Sequence, residues 1–410
     1  MLAVTGVTFL ALVAFEIGSR AFLVVAPPLT QPGTGETAPR HTRMLVYADA
    51  SYDVDLLDRE ERELRDEMYR PYVVWSRKPF DGELIHIDAE GHRTTYHNST
   101  RDDALQIWLL GGSVLWGQGV PDTETIPSFL AEIMNEQLGI DTRVWNLGEI
   151  GYVSTQEIVE LIRQLQIRRR PDFVIFLDGV NDAPAAALWP DVPGTHMSYY
   201  KIRDRFEMPA RRGVHPWLAV FRSSGFVRLA DYLRQKLGLS GLRPSPLWSL
   251  PTNAAQISER GEQAARVWLK NYHLTDALGQ SYDFVPLYFL QPSLFVGEKP
   301  LHPAEQELRV SESENEAKKV SMDVYDVMRR VVRDSLAASP SLEGVYDISD
   351  LFAQTREPLY VDYVHMAGKG NQMLAAELAR ILADRLCRGL PAGVSAHSRA
   401  QLQAFCKRDR

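Results

Sequence analysis

The stretch Leu105-Gln106-Ile107-Trp108-Leu109-Leu110-Gly111-Gly112-Ser113 joins a continuous apolar run to two glycines and a serine. A run of this kind is typical of a strand that is buried on both faces of a parallel sheet. Glycine lets the backbone turn sharply, so the next side chain can stand at the carboxyl end of the strand. The stretch therefore predicts a buried strand that presents Ser113 at the sheet edge where open α/β folds bind ligands.

Strand and helix patterns alternate after this stretch. Residues 125–138 have helical spacing of apolar side chains, and residues 143–147 have the pattern of a second strand. A capping box at Ser154-Thr155-Gln156-Glu157 opens another helix, and residues 173–177 form a third apolar run. Such alternation requires βαβ crossovers, so the sequence predicts an α/β fold with a parallel sheet.

The alternation is interrupted and then resumes. It stops at residue 183 and returns with elements near residues 284–290, 313–336, 345–348 and 368–386. We therefore expect a main domain over residues 103–386, with an insertion after the third strand at about residues 183–280.

The segments before and after this domain differ in character. Residues 1–26 are apolar over a length that would span the ~30 Å hydrocarbon layer, with Glu16 and Arg20 spaced to pair on one helix face. They predict a membrane anchor, with a cleaved signal peptide and a buried core helix as alternatives. Residues 27–43 have the composition of a linker, residues 44–102 form an extended lead-in with a solvated charged helix near its start, and residues 387–410 form a loosely ordered tail.

Composition excludes some classes of function. The net charge of −8 and the isoelectric point of about 5.8 give no basic footprint for nucleic acid. The ten histidines are scattered, so we expect no metal and no cofactor. Cys387 and Cys406 could pair in an oxidising compartment or remain two free thiols, and the sequence leaves both open, as it does the oligomeric state.

Polar groups follow several of the predicted strands. They are Ser113, the loop from Asn146 to Gly151, the segment Gly179-Val180-Asn181-Asp182, and the pair Asp362 and His365 before the last helix. Each is ordinary alone, as a helix cap, a turn or a surface pair. Together they place a hydroxyl, a base with its carboxylate and hydrogen-bond donors at one sheet edge, which indicates nucleophilic acyl transfer.

These four blocks resemble the SGNH hydrolases, also called the GDSL esterase/lipase superfamily. The resemblance implies a flavodoxin-like, three-layer α/β/α sandwich. It also implies Ser113 as nucleophile, His365 as base and Asp362 as the carboxylate that orients His365. Gly151 N–H and the Asn181 side chain, with the Ser113 N–H, would form the oxyanion hole.

One position departs from the family pattern. The usual first block reads Gly-Asp-Ser, and Gly112 stands here in place of the aspartate. The aspartate is not a member of the triad, so we expect activity to be kept and the loop to be braced differently. Gly148 is a second candidate for the oxyanion glycine, and the spacing from Asn146 favours Gly151.

The layout also resembles membrane-anchored, extracytoplasmic bacterial members of the family that act on acylated carbohydrates. We expect a serine esterase that removes a small acyl group, acetyl above all, from a glycan through an acyl-enzyme. An O-acyltransferase for an exported polysaccharide and a non-catalytic glycan-binding or assembly protein are the alternatives. Six aromatic residues of the insertion are candidates to stack on sugar rings: Trp189, Tyr199, Tyr200, Trp217, Trp248 and Trp268.

Overall fold

A parallel sheet of five strands forms the core of the computed structural model, which describes residues 14–20, 22, 40–199, 202–203, 206, 229 and 250–408. The strands are Leu105–Gly111 (β1), Thr142–Asn146 (β2), Phe173–Asp178 (β3), Val285–Leu290 (β4) and Val345–Asp347 (β5). They pair in parallel in the order β2-β1-β3-β4-β5, which is the flavodoxin-like order. The predicted α/β fold with a parallel sheet is confirmed.

Helices cover the sheet on both faces, since every residue of β1 and β3 is buried. One group of helices consists of α1 (Ile126–Glu132) packed against a later helix, Gly368–Arg388. Helices of the other group pack on one another; they are α2 (Ser154–Ile167), α3 (Asp182–Leu188), α4 (Ala254–Tyr282) and α6 (Glu316–Ala338). Helix α5 (Pro303–Ser313) comes directly before α6 in the chain. The helix Gly368–Arg388 is α7.

The predicted insertion is too long at both ends. Helices α3 and α4 belong to the layers, because Trp268 and Tyr272 of α4 pack their rings edge-on against Tyr288 of β4, with centroid distances of 5.5 Å. Several buried positions of α4 are small or polar, among them Gly261 and Thr275. The apolar periodicity of this helix is therefore weak, which hid it from the sequence pattern. The segment between α3 and α4 covers residues 189–253.

The lead-in has more regular structure than expected. It contains the helices Arg40–Val46 and Val54–Glu63, followed by two antiparallel pairs of short strands, Glu67–Arg70 with Val74–Arg77 and Phe80–Asp81 with His86–Ile87. The predicted solvated helix buries Leu57 and Glu60. The Glu60 carboxylate accepts hydrogen bonds from the backbone N–H groups of residues 83–85, which connect the two strands of the second pair.

The C-terminal segment is ordered, contrary to the prediction of a loose tail. Residues Ala396–Arg408 form helix α8, and Cys387 and Cys406 are joined by a disulfide bond. Leu402 is buried, and His397 Nε2 lies 2.7 Å from the Asp141 carboxylate. Helix α8 is thus held on the domain largely by polar contacts and one covalent bond. Such interactions produce no periodic pattern of apolar residues in the sequence.

The N-terminal residues belong to a separate unit, residues 1–36 with 198–248. In it, residues 14–20 are helical, and Arg20 Nε donates to the Glu16 carboxylate over 2.7 Å, as their spacing predicts. Within the described residues no helix is both long and apolar enough to cross a membrane. Most of the predicted anchor (residues 1–13, 21 and 23–26) and of the linker (residues 27–39) lies outside the described residues.

Candidate active site

Ser113, His365 and Asp362 form one continuous chain of hydrogen bonds. His365 Nε2 lies 2.6 Å from Ser113 Oγ, and His365 Nδ1 lies 2.6 Å from Asp362 Oδ2. A carboxylate can only accept, so Nδ1 carries the proton and Nε2 is the acceptor for the serine O–H. The structure thus brings together the three residues that the sequence selected, in the arrangement needed to activate a serine hydroxyl.

Ser113 is placed by the end of strand β1. It opens a short helix, Ser113–Trp116, and its side chain is nearly buried. The first residue of a helix has no intrahelical acceptor for its N–H. Within the described part of the chain, the Ser113 N–H donates to no other group. The backbone of the nucleophile is therefore available as one oxyanion donor.

Asp362 and His365 are held by the turn before α7. The second oxygen of Asp362, Oδ1, accepts the backbone N–H groups of Val364 and His365 over 2.8 and 2.7 Å. The N–H of Val361 donates to the His365 carbonyl over 2.9 Å. The carboxylate thus orients the turn with one oxygen and the imidazole with the other.

The two ionisable groups shift each other's pKa. Burial by itself raises the pKa of Asp362 and lowers the pKa of His365. Their mutual attraction and hydrogen bond outweigh burial, so the pKa of Asp362 ends below its ordinary value and the pKa of His365 above it. His365 must be neutral to accept the serine proton, so the activity of such a site rises with pH through the pKa of His365.

The two candidate oxyanion glycines, Gly148 and Gly151, both lie in the loop after β2, and they differ in their hydrogen bonding. The N–H of Gly148 donates to Asn146 Oδ1 over 3.1 Å and is therefore occupied. Gly151 has φ of 79°, and its N–H donates to nothing within the described residues. This arrangement favours Gly151 as the donor.

The Asn181 side chain lies beside the backbone of the nucleophile block. Its Nδ2 donates to the Tyr152 carbonyl over 2.8 Å, and a Cβ atom added to Gly112 would lie 2.5 Å from that nitrogen. An amide nitrogen carries two N–H groups, so one remains for a ligand. The absence of a Cβ atom at Gly112 thus leaves the space that the Asn181 amide occupies beside the residue before Ser113.

A cluster of buried carboxyl groups lies under Asn181. Ser154, at the start of α2, donates its hydroxyl to Asp182 over 2.5 Å. Burial raises the pKa of Asp182 to about 7 and that of Asp178 to about 6, and it raises the pKa of Glu157 well above its ordinary value. The Ser154 N–H and O–H both donate to Asp182, so this carboxyl group ties the start of α2 to the start of α3.

Residues of the lead-in contact the loop from Asn146 to Gly151, and the sequence did not indicate them. The N–H of Arg77 donates to Glu149 Oε2 over 2.8 Å, and Trp75 Nε1 donates to the Ile150 carbonyl over 3.0 Å. The Trp75 ring would lie 3.7 Å from a Cβ atom at Gly151. These contacts join positions about 75 residues apart in the chain, so no local pattern could have revealed them.

The structure describes three of the six aromatic residues that the sequence offers for stacking on sugar rings. Trp189 and Trp268 are buried, and Trp268 Nε1 donates to Asp178 inside the core. Tyr199 lies in the separate N-terminal unit, while Tyr200, Trp217 and Trp248 lie outside the described residues. Across those residues that the structure describes, no group of three or more His, Cys, Asp and Glu side chains is arranged to hold a metal ion.

No protein-family model and no curated protein matches the sequence. Among solved structures, the chain is similar to a member of the lipolytic G-D-S-L family from Veillonella parvula, at 12% identity and a TM-score of 0.36, over 68% of this chain and 98% of that one. It is also similar to the acetyl xylan esterase AlAXEase, at 12% identity and a TM-score of 0.36, over 68% and 100%. The acetylxylan esterase Axe2 from Geobacillus stearothermophilus matches at 11% identity and a TM-score of 0.30, over 68% and 95%. Likenesses this distant assign no activity to the chain.

Proposed function

We propose that the protein is a serine ester hydrolase of the SGNH type, which removes a small acyl group, acetyl in the simplest case, from a carbohydrate. The observation that carries the proposal is the hydrogen-bonded chain Ser113–His365–Asp362, with both links at 2.6 Å. Among the described residues, the N–H groups of Ser113 and Gly151 donate to no other group, and the Asn181 amide uses one of its two N–H groups. The carbohydrate part of the proposal rests on the resemblance of the chain's overall layout to membrane-anchored members of the family that act on acylated carbohydrates.

The first half of the reaction forms an acyl-enzyme. Ser113 Oγ bonds to the ester carbonyl carbon while its proton passes to His365 Nε2, and the carbonyl electron pair moves onto oxygen. The N–H groups of Ser113 and Gly151 and the free N–H of the Asn181 amide hold this oxyanion. The bond from carbon to the leaving oxygen then breaks, and His365 returns the proton to the leaving hydroxyl group.

The second half releases the acid. His365 takes a proton from water as the water oxygen bonds to the acyl carbon, and the same donors hold the second oxyanion. Collapse breaks the bond to Ser113 Oγ, which regains its proton from His365. Asp362 stays ionised throughout and stabilises the imidazolium in both halves, in agreement with the lowered pKa of its carboxyl group.

Hydrolysis of p-nitrophenyl acetate by the full chain tests the proposal. We expect Ser113→Ala and His365→Ala each to lose turnover by about 10³-fold or more, since a triad fails as a unit. Ser341→Ala, which changes an exposed serine after α6, is the matched control and should keep the wild-type rate. Wild-type protein should also be labelled at Ser113 by a fluorophosphonate. Equal rates in all four proteins, without labelling, would favour a fold kept for glycan binding.

Release of acetate from an acetylated xylooligosaccharide tests the carbohydrate part. We expect a higher kcat/KM than with p-nitrophenyl acetate, since a sugar substrate offers binding energy beyond the acyl group. Acetate that appears instead on an added oligosaccharide acceptor would identify a transferase, and activity confined to the nitrophenyl ester would remove the carbohydrate from the proposal.

We also propose that the catalytic domain lies outside the cytoplasm, attached to a membrane by residues 1–26. The disulfide bond between Cys387 and Cys406 supports this location, because such bonds persist in oxidising compartments. Cells lysed directly into denaturant with a maleimide reagent should yield protein that is modified only after reduction. Modification of both cysteines without reduction would contradict the location.

A further inference from the structure

The loop that follows the short helix Ser113–Trp116, here called the nucleophile helix, is held by a buried arginine of the lead-in. The Arg93 guanidinium donates to the carbonyls of Gly117 and Val120 over 2.5 and 2.6 Å, and to the Asp122 carboxylate over 2.7 Å. Its side chain is fully buried and lies 4.3 Å from the centre of the Trp116 ring. Trp116 itself belongs to a small hydrophobic cluster with lead-in residues such as Leu57. The lead-in thus fixes the segment directly after Ser113.

Two further lead-in side chains hold Gly119 in the middle of this loop. Glu61 Oε1 accepts the Gly119 N–H over 2.6 Å, and the Tyr47 hydroxyl donates to the Gly119 carbonyl over 2.7 Å. A Cβ atom at Gly119 would lie 3.4 Å from the side chain of Val361, whose N–H donates to the His365 carbonyl. Glu61 therefore binds the loop after the Ser113 helix at Gly119, the point where this loop contacts the turn that carries His365.

We propose that Glu61 is a positioning residue of the triad: its carboxylate holds the Gly119 loop and places a negative charge facing His365, which stabilises the imidazolium formed when Ser113 loses its proton. This role rests on the proposed function. It adds to Asp362 a second acidic group, carried by the helix Val54–Glu63 outside the sheet and its covering helices.

Three acidic groups act electrostatically on His365, each from a different part of the chain. Asp362 comes from the same turn, Glu61 from the lead-in and Glu312 from α5, and all three raise the pKa of His365 against the effect of burial. Glu312 is paired with Lys318, which offsets its charge. Burial has the largest effect on the pKa of Glu61 and raises it, as does Asp58, whereas the Gly119 N–H, Arg93 and His365 lower it. Within the described residues Glu61 has no ion-pair partner as close as Lys318 is to Glu312, so its charge is the less directly compensated of the two.

The variant Glu61→Gln separates charge from hydrogen bonding. A glutamine oxygen can still accept the Gly119 N–H, so the loop keeps its contact while the charge is removed. We expect kcat to fall about five- to tenfold, the effect of one partly screened charge, with KM unchanged. We also expect the acidic limb of the kcat/KM profile to move to lower pH, because His365 loses a group that raises its pKa.

Tyr47→Phe is the matched control. It removes the hydrogen bond to the Gly119 carbonyl without removing a charge, so it can reduce the rate but should leave the acidic limb in its wild-type position. A shift in Glu61→Gln without a shift in Tyr47→Phe supports the proposal. An unchanged limb in Glu61→Gln, or equal shifts in both variants, would overturn it.

A second readout does not depend on turnover. The imidazole of His365 can be titrated by NMR in a Ser113→Ala background and identified by its loss in His365→Gln. The Glu61→Gln change should lower the pKa of His365 there as well. Wild-type protein that hydrolyses no ester would defeat the proposed function, whereas a titration of His365 that is unaffected by Glu61→Gln would defeat this inference alone.

Discussion

Gly112 shows how one missing side chain shapes the candidate site. Its hydrogen atom faces the Asn181 amide at a distance that no Cβ atom could share, because the added atom would lie 2.5 Å from Nδ2. The amide in turn is fixed by its bond to the Tyr152 carbonyl. Since Gly112 directly precedes Ser113, the residue before the candidate nucleophile determines how close a candidate oxyanion donor can lie.

A methyl group at this position should therefore act on catalysis. We expect Gly112→Ala to displace the Asn181 amide and to lower kcat by about 10²-fold with little change in KM, the loss typical of one oxyanion donor. Gly389→Ala is the control, because a Cβ atom at Gly389 meets nothing within 4 Å. Steady-state kinetics with p-nitrophenyl acetate measure both. Wild-type kcat in Gly112→Ala would show that Asn181 does not serve the oxyanion.

At the residue scale, the sequence reveals the groups that end strands and misses those that support them. Ser113, Asp362 and His365 could be selected because each lies at the end of a strand pattern or just before a helix. Glu61 and Arg93 lie among charged residues whose usual place is the solvent. Their contacts depend on tertiary packing of the lead-in, which no spacing in the chain encodes.

At the scale of elements, two helices and a strand each contribute one carboxyl group to a buried cluster. Glu157 comes from α2, Asp178 from the end of β3 and Asp182 from the start of α3. Three of their oxygen atoms accept no hydrogen bond from the described residues: both oxygens of Glu157, and Oδ2 of Asp178. A proton held between Glu157 and Asp178 satisfies both groups, and the raised pKa of each agrees with this.

This cluster makes stability depend on pH. A carboxyl group with a raised pKa binds its proton more tightly in the folded than in the unfolded state, so the free energy of unfolding falls as pH rises from about 4, the ordinary pKa, through the folded values. Those values are about 6 for Asp178 and about 7 for Asp182. Urea unfolding should therefore show lower stability at pH 8 than at pH 5.

Glu157→Gln should flatten this dependence, because the glutamine amide can donate to Asp178 without a shared proton. The difference between pH 5 and pH 8 should be smaller than in the wild type. The exposed glutamate of α4, changed in Glu259→Gln, should keep the wild-type difference. If both variants behave as the wild type does, the cluster is not the source of the pH dependence.

The elements themselves were predictable to different degrees. Strands β1 and β3 are continuous apolar runs and were found nearly to the residue. Helix α4 buries small and polar residues, so its pattern does not distinguish it from the predicted insertion. Helix α8 is held by polar contacts and a disulfide bond, which leave no apolar stripe to predict it. Periodicity detects burial of large apolar side chains and little else.

For the whole molecule, the lead-in and the α/β sandwich share one site. The lead-in packs on the nucleophile helix through Trp116 and on the oxyanion loop through Tyr152, in two separate hydrophobic clusters. The sequence identified the sandwich from its alternating elements and left the lead-in as an extended approach to it. Residues 44–102 are instead a structural part of the candidate active site.

The separation of Ser113 from His365 by 252 residues has a consequence for biosynthesis. The strand that carries the serine is second in the order of the sheet and leaves the ribosome early, whereas the histidine follows the last strand, at the opposite edge. A growing chain can therefore assemble β1, β2 and β3 with a serine that has no proton acceptor. At about 5–20 residues per second, the nascent protein spends roughly ten seconds or more with a serine that lacks the base of the proposed triad.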